Sequence, residues 1–153
     1  MDLFDIVGPV MVGPSSSHTA GAVRIGYVAG KLLGEDVRKA NILLYGSFLA
    51  TGNGHGTKKA LAAGLLGMHP DDYRIAESLQ IAESQGIEIT FGEAKLEEAH
   101  PNTVVLQLWG ITGKSIEVQA SSIGGSRINI DKIDGISTNF SGDHPTLIVH
   151  NLD

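Results

Sequence analysis

Cysteine is absent from this 153-residue chain. Its absence excludes, within the chain, thiol nucleophiles, disulfides, and zinc or iron–sulfur sites ligated by cysteine. Aromatic residues are also scarce, at 5%, whereas glycine occurs 20 times. We therefore expect a core of aliphatic side chains in which backbone segments approach one another closely.

Clusters of positive charge and long apolar runs are lacking as well. The net charge is −6 and no run of Lys or Arg is present, so no nucleic-acid partner is expected. No apolar run is long enough to span a bilayer, and the N-terminus lacks the basic region of a signal peptide. We expect a cytoplasmic protein with no membrane partner. The length, with 42% hydrophobic and 18% charged residues, indicates one globular domain.

Helical and extended patterns alternate along the chain, which predicts an α/β fold: a mixed α+β sheet with packed helices. Helices are predicted at 17–33, 57–66 and 73–85, and strands at 39–45, 87–91, 103–109, 114–120 and 127–131. Segments 47–51 and 121–126 are predicted to be loops.

The last apolar stretch, 145–151, has the pattern of a strand that opens a further unit. We therefore divide the chain into a domain over 1–143 and a segment 144–153. The segment is expected to be a linker or the start of a truncated second domain.

A dense polar motif occupies the predicted start of the first helix. Its hydroxyl side chains are those of Ser15, Ser16, Ser17 and Thr19. One hydroxyl suffices as a cap, so the others, with the free backbone N–H groups, are candidates to bind an anion such as a carboxylate. The helix dipole disfavours protonation of His18, and a neutral imidazole can accept a proton. A polar cap with a solvent-facing histidine is the alternative.

A second motif, Asn-Gly-His-Gly-Thr at 53–57, precedes the next predicted helix. Gly54 and Gly56 remove side-chain bulk on both sides of His55, so a ligand or another backbone segment can approach the imidazole. Thr57 is predicted to cap the helix. A flexible loop with an ordinary histidine is the alternative. Neither the Walker pattern nor the dinucleotide-binding fingerprint is present.

The remaining histidines are predicted to be structural. His69, His100 and His144 each precede a proline, where the backbone is extended or turns, and His150 lies in the terminal apolar stretch. No two histidines have the i, i+4 spacing of a helical zinc site. Segment 122–126 is compatible with an anion-binding nest and equally with a plain β-connection.

Together these motifs resemble those of the β subunit of bacterial iron–sulfur L-serine dehydratases, the family that does not use pyridoxal phosphate. The stretches that carry the resemblance are 4–22, 45–48, 54–57, 100–103 and 122–125. Two positions depart from the family pattern. Lys58 stands where many relatives have an acidic residue, and Ser126 stands where a third glycine is common.

The resemblance implies a fold like the allosteric substrate-binding domain of some phosphoglycerate dehydrogenases, followed by an ACT-type regulatory domain. It implies an enzyme of amino-acid catabolism that converts L-serine to pyruvate and ammonia. The 4Fe-4S cluster would be bound by a partner, either the α subunit or a catalytic domain. This chain alone would bind no cofactor. The chain would be inactive alone and would act in a homo- or hetero-oligomer.

On this interpretation the two histidines transfer protons and the other motif residues bind substrate. His55 is the first candidate for the base and His18 the second. The substrate-binding candidates are Ser15, Ser16, Ser17, Thr19, Gly54, Gly56 and Thr57.

Two alternatives use the same residues. The chain could be a non-catalytic regulatory module that binds serine or another small anion. Binding alone requires the two helix N-termini but no proton acceptor. A stand-alone Ser-His hydrolase is a weaker interpretation, because no Gly-x-Ser-x-Gly motif is present.

Overall fold

The computed structural model describes residues 16–51, 56–124 and 127–141. These residues form a mixed sheet with packed helices, which confirms the predicted fold class. The helices are α1 (Ser16–Leu33), α2 (Ser47–Thr51), α3 (Gly56–Leu65), a 3₁₀ helix (Tyr73–Glu77) and α4 (Ser78–Ser84). The strands are β1 (Val37–Gly46), β2 (Glu88–Glu93), β3 (Asn102–Gly110), β4 (Ser115–Gly124), β5 (Arg127–Ile133) and β6 (Ile136–Ser141). In these ranges no helix combines the length and apolar character needed to cross a membrane.

The six strands form one sheet in the order β2-β1-β3-β4-β5-β6. β1 and β2 are parallel, whereas the other neighbouring strands are antiparallel. Parallel strands need a crossover connection, and here it consists of α2, α3, the 3₁₀ helix and α4. The likeness to the substrate-binding domain of phosphoglycerate dehydrogenases stays a prediction.

One face of the sheet forms the core beneath α1. Ile42, Leu106, Val118 and Ile133 are paired across four adjacent strands, and each is at most 2% exposed. Strand residues alternate between the two faces, so this row faces one way on every strand. Burial of aliphatic side chains supplies the main driving force for this layer.

The opposite face of the sheet carries a row of hydrogen-bonded polar groups. Thr90 Oγ1 donates to Asn41 Oδ1 over 3.0 Å, and Asn41 Nδ2 donates to Gln107 Oε1 over 2.8 Å. The Lys39 ammonium lies 5.1 Å from the centre of the Trp109 ring. A one-residue slip of β1 would bury Asn41 in the core, so the two rows together fix the register.

Helices α1 and α3 touch backbone to backbone at Gly26 and Gly64. A Cβ on Gly26 would overlap the Leu61 carbonyl oxygen, and a Cβ on Gly64 would overlap that of Val23. The absence of a side chain at these two positions therefore lets α1 and α3 pack closely, as the glycine content of the chain predicted.

The two helices run in the same direction. Gly26 lies opposite Gly64, and one turn later Gly30 faces the Leu65 carbonyl. The C-terminal ends of both helices line the same cleft. Their N-terminal turns, which contain the two polar motifs, consequently lie at the same end of the molecule.

The predicted helix ends are confirmed at three glycines. Gly34, Gly67 and Gly86 follow α1, α3 and α4 with φ angles of +86°, +90° and +79°. This left-handed conformation is the usual C-terminal stop of a helix and is strained for residues with a side chain.

The third predicted helix differs from the prediction in its first half. Residues 73–77 form a 3₁₀ helix, and α4 then covers only 78–84. The Asp72 carboxylate accepts hydrogen bonds from the backbone and guanidinium of Arg74, and these bonds lower the pKa of Asp72 to about 2. Since the Arg74 side chain is 51% exposed and the pair lies at the surface, these bonds define the local turn and contribute little to global stability.

Two segments predicted to be loops are regular elements. Segment 47–51 is the short helix α2, because Phe48 is fully buried and anchors it. Residues 121–124 continue β4, with Ser121 paired to Asn129 and Ser122 to Ile128. Serine has low strand propensity, so only the pairing with β5 reveals these residues as strand.

The final strand, β6, was not predicted. It follows a two-residue turn at Asp134 and Gly135, whose φ angles are +52° and +83°. Ile133 and Ile136 pair across this turn. Asp-Gly between apolar residues is a strong signal for a tight hairpin, so β6 could have been predicted from the sequence.

Replacing Gly64 with Ala should destabilise the protein by about 1–3 kcal/mol, because the added methyl group must push α3 away from α1. The measurement is the free energy of unfolding in urea. Gly30→Ala is the matched control: this helical glycine has a backbone neighbour only at 3.9 Å, so the change should be neutral or stabilise by up to about 1 kcal/mol. Equal effects of the two variants would contradict the close helix contact.

Candidate active site

Several chain segments meet at one end of the sheet. β1 ends there at Gly46, β3 begins there at Asn102 opposite Gly46, and β4 ends there beyond Ser122. The N-terminal turn of α1 lies at the same end, since Gly21 contacts Ser122. We call this region, defined by Gly46, Asn102, Ser122 and the first turns of α1 and α3, the site edge.

Gly46 connects β1 to α2 under tight steric restraint. Its φ is +63°, and a Cβ at this position would overlap the Pro101 carbonyl oxygen. The same oxygen accepts a hydrogen bond of 2.6 Å from Ser47 N. The end of β1 is thereby fixed against the turn that precedes β3.

The turn before β3 is held by its own hydrogen bonds. His100 Nδ1 accepts a hydrogen bond of 3.0 Å from Asn102 N, and the Thr103 hydroxyl donates to the His100 carbonyl over 2.6 Å. Thr103 is fully buried. The His100 imidazole thus has a structural partner in the turn, as its position before a proline predicted.

Helix α1 lies directly on β4 at Gly21. A Cβ on Gly21 would overlap the Ser122 hydroxyl. Ser122 is 2% exposed, which disfavours a solvent-facing nest at this residue; Gly125 and Ser126 lie outside the described residues.

The predicted site residues are described to different extents. Ser15, Gly54 and His55 lie outside the described residues. Ser16, Ser17 and His18 form the first turn of α1, with their side chains outside the description. Thr19 is partly buried in the same turn, and Gly56 and Thr57 begin α3.

One detail of the prediction for Thr57 is wrong. α3 begins at Gly56, so Thr57 lies inside the first turn and not at the cap position. Its side chain is 4% exposed and makes interactions within the fold.

Asn102 is a residue that the sequence reasoning missed. Its Oδ1 atom is buried and accepts no hydrogen bond from the part of the chain that the structure describes. It belongs to the stretch 100–103, which carried the family resemblance, but an asparagine after a proline has the ordinary composition of a turn. Its burial is visible only in three dimensions.

The carboxyl groups with a shifted pKa lie away from the site edge. Hydrogen bonds from the side chain and backbone of Thr112 lower the pKa of Glu35, which follows the C-terminus of α1. Lys58 is engaged elsewhere, with its ammonium 5.3 Å from the centre of the Phe91 ring. Within residues 16–51, 56–124 and 127–141, no cluster of three or more potential ligands could hold a metal ion.

A cleft of about 640 Å³ lies at the opposite end of the two helices. It is lined by residues after the C-termini of α1 and α3, including Glu35, Asp36 and Gly67. Helix C-termini carry partial negative charge, so this cleft does not suit a carboxylate. It is separate from the predicted site.

Comparison with known proteins gives consistent matches. The family model described as serine dehydratase beta chain matches residues 1–86. The chain is 46% identical over 150 residues to a probable L-serine dehydratase beta chain of Bacillus subtilis, covering 97% of this chain and 68% of that protein. It is 41% identical over 147 residues to the L-serine dehydratase beta chain of Peptoniphilus asaccharolyticus, covering 95% of this chain and 66% of that protein.

A longer relative shows the same similarity over part of its length. The L-serine dehydratase of Streptomyces coelicolor is 34% identical over 114 residues, which are 69% of this chain and 25% of that protein. The chain spans about two-thirds of the length of the two beta chains above.

Replacing Gly21 with Ala should lower the free energy of unfolding by about 1–3 kcal/mol, because the new methyl group overlaps Ser122. Ser122→Gly removes both the hydroxyl and the Cβ, so it should restore most of the loss when combined with Gly21→Ala. Urea unfolding of the two single variants and the double variant measures this coupling. Strictly additive effects would show that α1 does not rest on Ser122.

Proposed function

The chain belongs to the serine dehydratase beta-chain family, and on this basis we propose that it is a subunit of an L-serine dehydratase. The enzyme removes the α-proton and the hydroxyl group of L-serine as water. The resulting aminoacrylate tautomerises to the imine, which takes up one water molecule and yields pyruvate and ammonia. In this proposal the chain supplies substrate-binding and proton-transfer residues to a site that a partner completes.

The observation that carries the proposal is the convergence at the site edge. Segments that are distant in sequence meet there: 46–48, 56–57, 102–103 and 122–124, together with the first turn of α1. All belong to stretches on which the family resemblance rests, or directly adjoin them.

We assign carboxylate binding to the N-terminal turn of α1. Its free backbone N–H groups and partial positive charge favour an anion. The hydroxyls of Ser15, Ser16, Ser17 and Thr19 are the side-chain donors in this assignment. The first turn of α3, at Gly56 and Thr57, points its N–H groups from the same end of the molecule, because α1 and α3 are parallel.

Proton transfer is assigned to the two motif histidines, with His55 as the base that removes the α-proton and His18 as the second candidate. Both positions adjoin N-terminal helix turns, where the dipole disfavours the imidazolium ion. A neutral imidazole is the form that can accept a proton. Gly54 and Gly56 leave room for the substrate beside His55.

The residues of this chain do not fit an iron–sulfur cluster. It contains no cysteine, and its described part holds no metal-ligating group. We therefore propose that the 4Fe-4S cluster belongs to the α subunit or to a catalytic domain. When bound there, the cluster would supply Lewis-acid chemistry toward the substrate hydroxyl.

Pyruvate formation should require both components. We expect activity when this chain is mixed anaerobically with its cluster-bearing partner and supplied with L-serine, and none from either component alone. The assay follows pyruvate, with the cluster content checked by absorbance. An intact complex that binds L-serine without forming pyruvate would contradict the proposal and favour a regulatory module.

Replacing His55 with Ala should lower kcat by roughly 10²- to 10⁴-fold, the usual contribution of a general base. KM should change much less, because the imidazole acts mainly in the transition state. Steady-state kinetics of the complex provide the measurement. Comparison with His18→Ala shows which of the two histidines removes the α-proton.

His69→Ala is the matched control for these variants. His69 is exposed and packs against Tyr27, with ring centres 5.2 Å apart, away from the site edge. Its replacement should leave kcat within about twofold, as expected for a surface residue outside the site. Unchanged kcat in both His55→Ala and His18→Ala would overturn the assignment of proton transfer to this chain.

A further inference from the structure

A further cleft, of about 600 Å³, lies at the end of the sheet opposite the site edge. The side chains that line it are those of Arg38, Lys39, Glu88, Trp109 and Ile111. We call it the tryptophan cleft. Lys39 and the site-edge residue Gly46 are at opposite ends of β1, about 23 Å apart in an extended strand. The tryptophan cleft is therefore separate from the candidate active site.

A β-bulge places two cationic side chains next to each other in this cleft. Val37 and Lys39 pair with consecutive residues of β3, so Arg38 is an extra residue in β1. Val37 and Ala40 are buried in the core, and both residues between them are exposed. In a regular strand, one of these two side chains would point toward the core. The bulge instead directs both of them to the face opposite the core.

The charges of these two side chains are not neutralised within the fold. In the ranges that the structure describes, neither Arg38 nor Lys39 forms an ion pair, although Glu88 is the cross-strand neighbour of Lys39. The Lys39 ammonium instead lies 5.1 Å from the centre of the Trp109 ring. The result is a local concentration of positive charge on a chain with a net charge of −6. Such a concentration of charge attracts an anion.

Trp109 provides a flat apolar surface beside these charges. Its side chain is partly exposed. An exposed cation–π contact is weaker than the stacking of a nucleobase on an aromatic ring, so an incoming ring can displace the Lys39 ammonium. The displaced ammonium remains beside Arg38, where it can bind the anionic group of the same ligand. Gly86 and Gly113 leave space at the rim, since a Cβ at either position would meet no atom within 4 Å.

The chemistry of the cleft matches a ligand that combines a flat ring, hydroxyl groups and a phosphate. The Arg38 guanidinium presents paired N–H donors to phosphate oxygens, and the Lys39 ammonium adds a point charge. The Glu88 carboxylate offers the acceptors that ribose hydroxyls use in nucleotide sites. We infer that the tryptophan cleft binds a nucleoside monophosphate, with the base on Trp109 and the phosphate on Arg38 and Lys39. A volume of about 600 Å³ suits a ligand of this size.

The test measures the binding of adenosine monophosphate (AMP) to the 153-residue chain. Trp109 is the single tryptophan, so its fluorescence reports on this cleft, and AMP should quench it saturably. Calorimetric titration gives the dissociation constants of AMP, adenosine and inorganic phosphate. Adenosine lacks the phosphate and inorganic phosphate lacks the ring, so each should bind at least about tenfold more weakly than AMP. Inorganic phosphate that binds as tightly as AMP would overturn the inference.

Arg38→Gln should raise the dissociation constant of AMP roughly 10- to 100-fold, the range for a hydrogen bond to a charged group. The constant for adenosine should change less than about threefold, because adenosine has no phosphate. Both side chains are exposed at this position, so the variant should fold normally.

Arg127→Gln is the matched control. Arg127 is also an exposed strand arginine, and its replacement removes the same charge, but it lies on β5, separated from β1 by β3 and β4. Its replacement should leave the dissociation constant of AMP within about threefold, as for other surface substitutions outside a site. Equal effects of the two variants would indicate general electrostatic attraction and would overturn the inference.

The absence of both quenching and heat with AMP at millimolar concentration would also overturn the inference. If Trp109→Ala then weakened the binding of the cluster-bearing partner, the cleft would be a protein interface, for which tryptophan and arginine are typical anchors. The inference goes beyond the proposed function and does not rest on it. AMP binding is measured on this chain alone, so its outcome is independent of L-serine turnover.

Discussion

The backbone contact between α1 and α3 is the constraint on which the site geometry depends. Because Gly26 and Gly64 have no side chains, the helix axes approach more closely than side-chain packing would allow. The two helices are therefore held parallel with both N-terminal turns at one end. The positive ends of the two helix dipoles therefore lie at the same end of the molecule.

A second constraint attaches these helices to the sheet. Gly21 rests on Ser122, and Gly46 lies against the Pro101 carbonyl. At each contact a side chain is absent where two backbone segments meet, which explains why a chain so rich in glycine is still well packed. The site edge thus consists largely of backbone, and backbone N–H groups and carbonyl oxygens are positioned more rigidly than long side chains.

Much of the fold follows from local patterns, and the rest depends on contacts between distant segments. The helix stops at glycine and the β3–β4 hairpin were predictable because their signals lie within a few residues. The end of β4 was not predictable from local patterns, because Ser121 and Ser122 are part of the strand only through their pairing with β5. The two motifs stay a prediction of the site, and the common location of the helix turns that they adjoin depends on the contact between Gly26 and Gly64. Asn102 was missed because only its three-dimensional surroundings make its oxygen unusual.

The central pairing of β1 with β3 has a consequence for how the protein folds. Asn41 and Gln107 are hydrogen-bonded but 66 residues apart in sequence, so β1 leaves the ribosome long before its partner strand. Sheets dominated by such distant pairs form slowly, because a long loop must be closed before the contacts contribute. The β3–β4 hairpin can form locally, and β1 can then pair with the free edge of β3. Until that step is complete, the hydrophobic face of β1 is exposed and liable to aggregate.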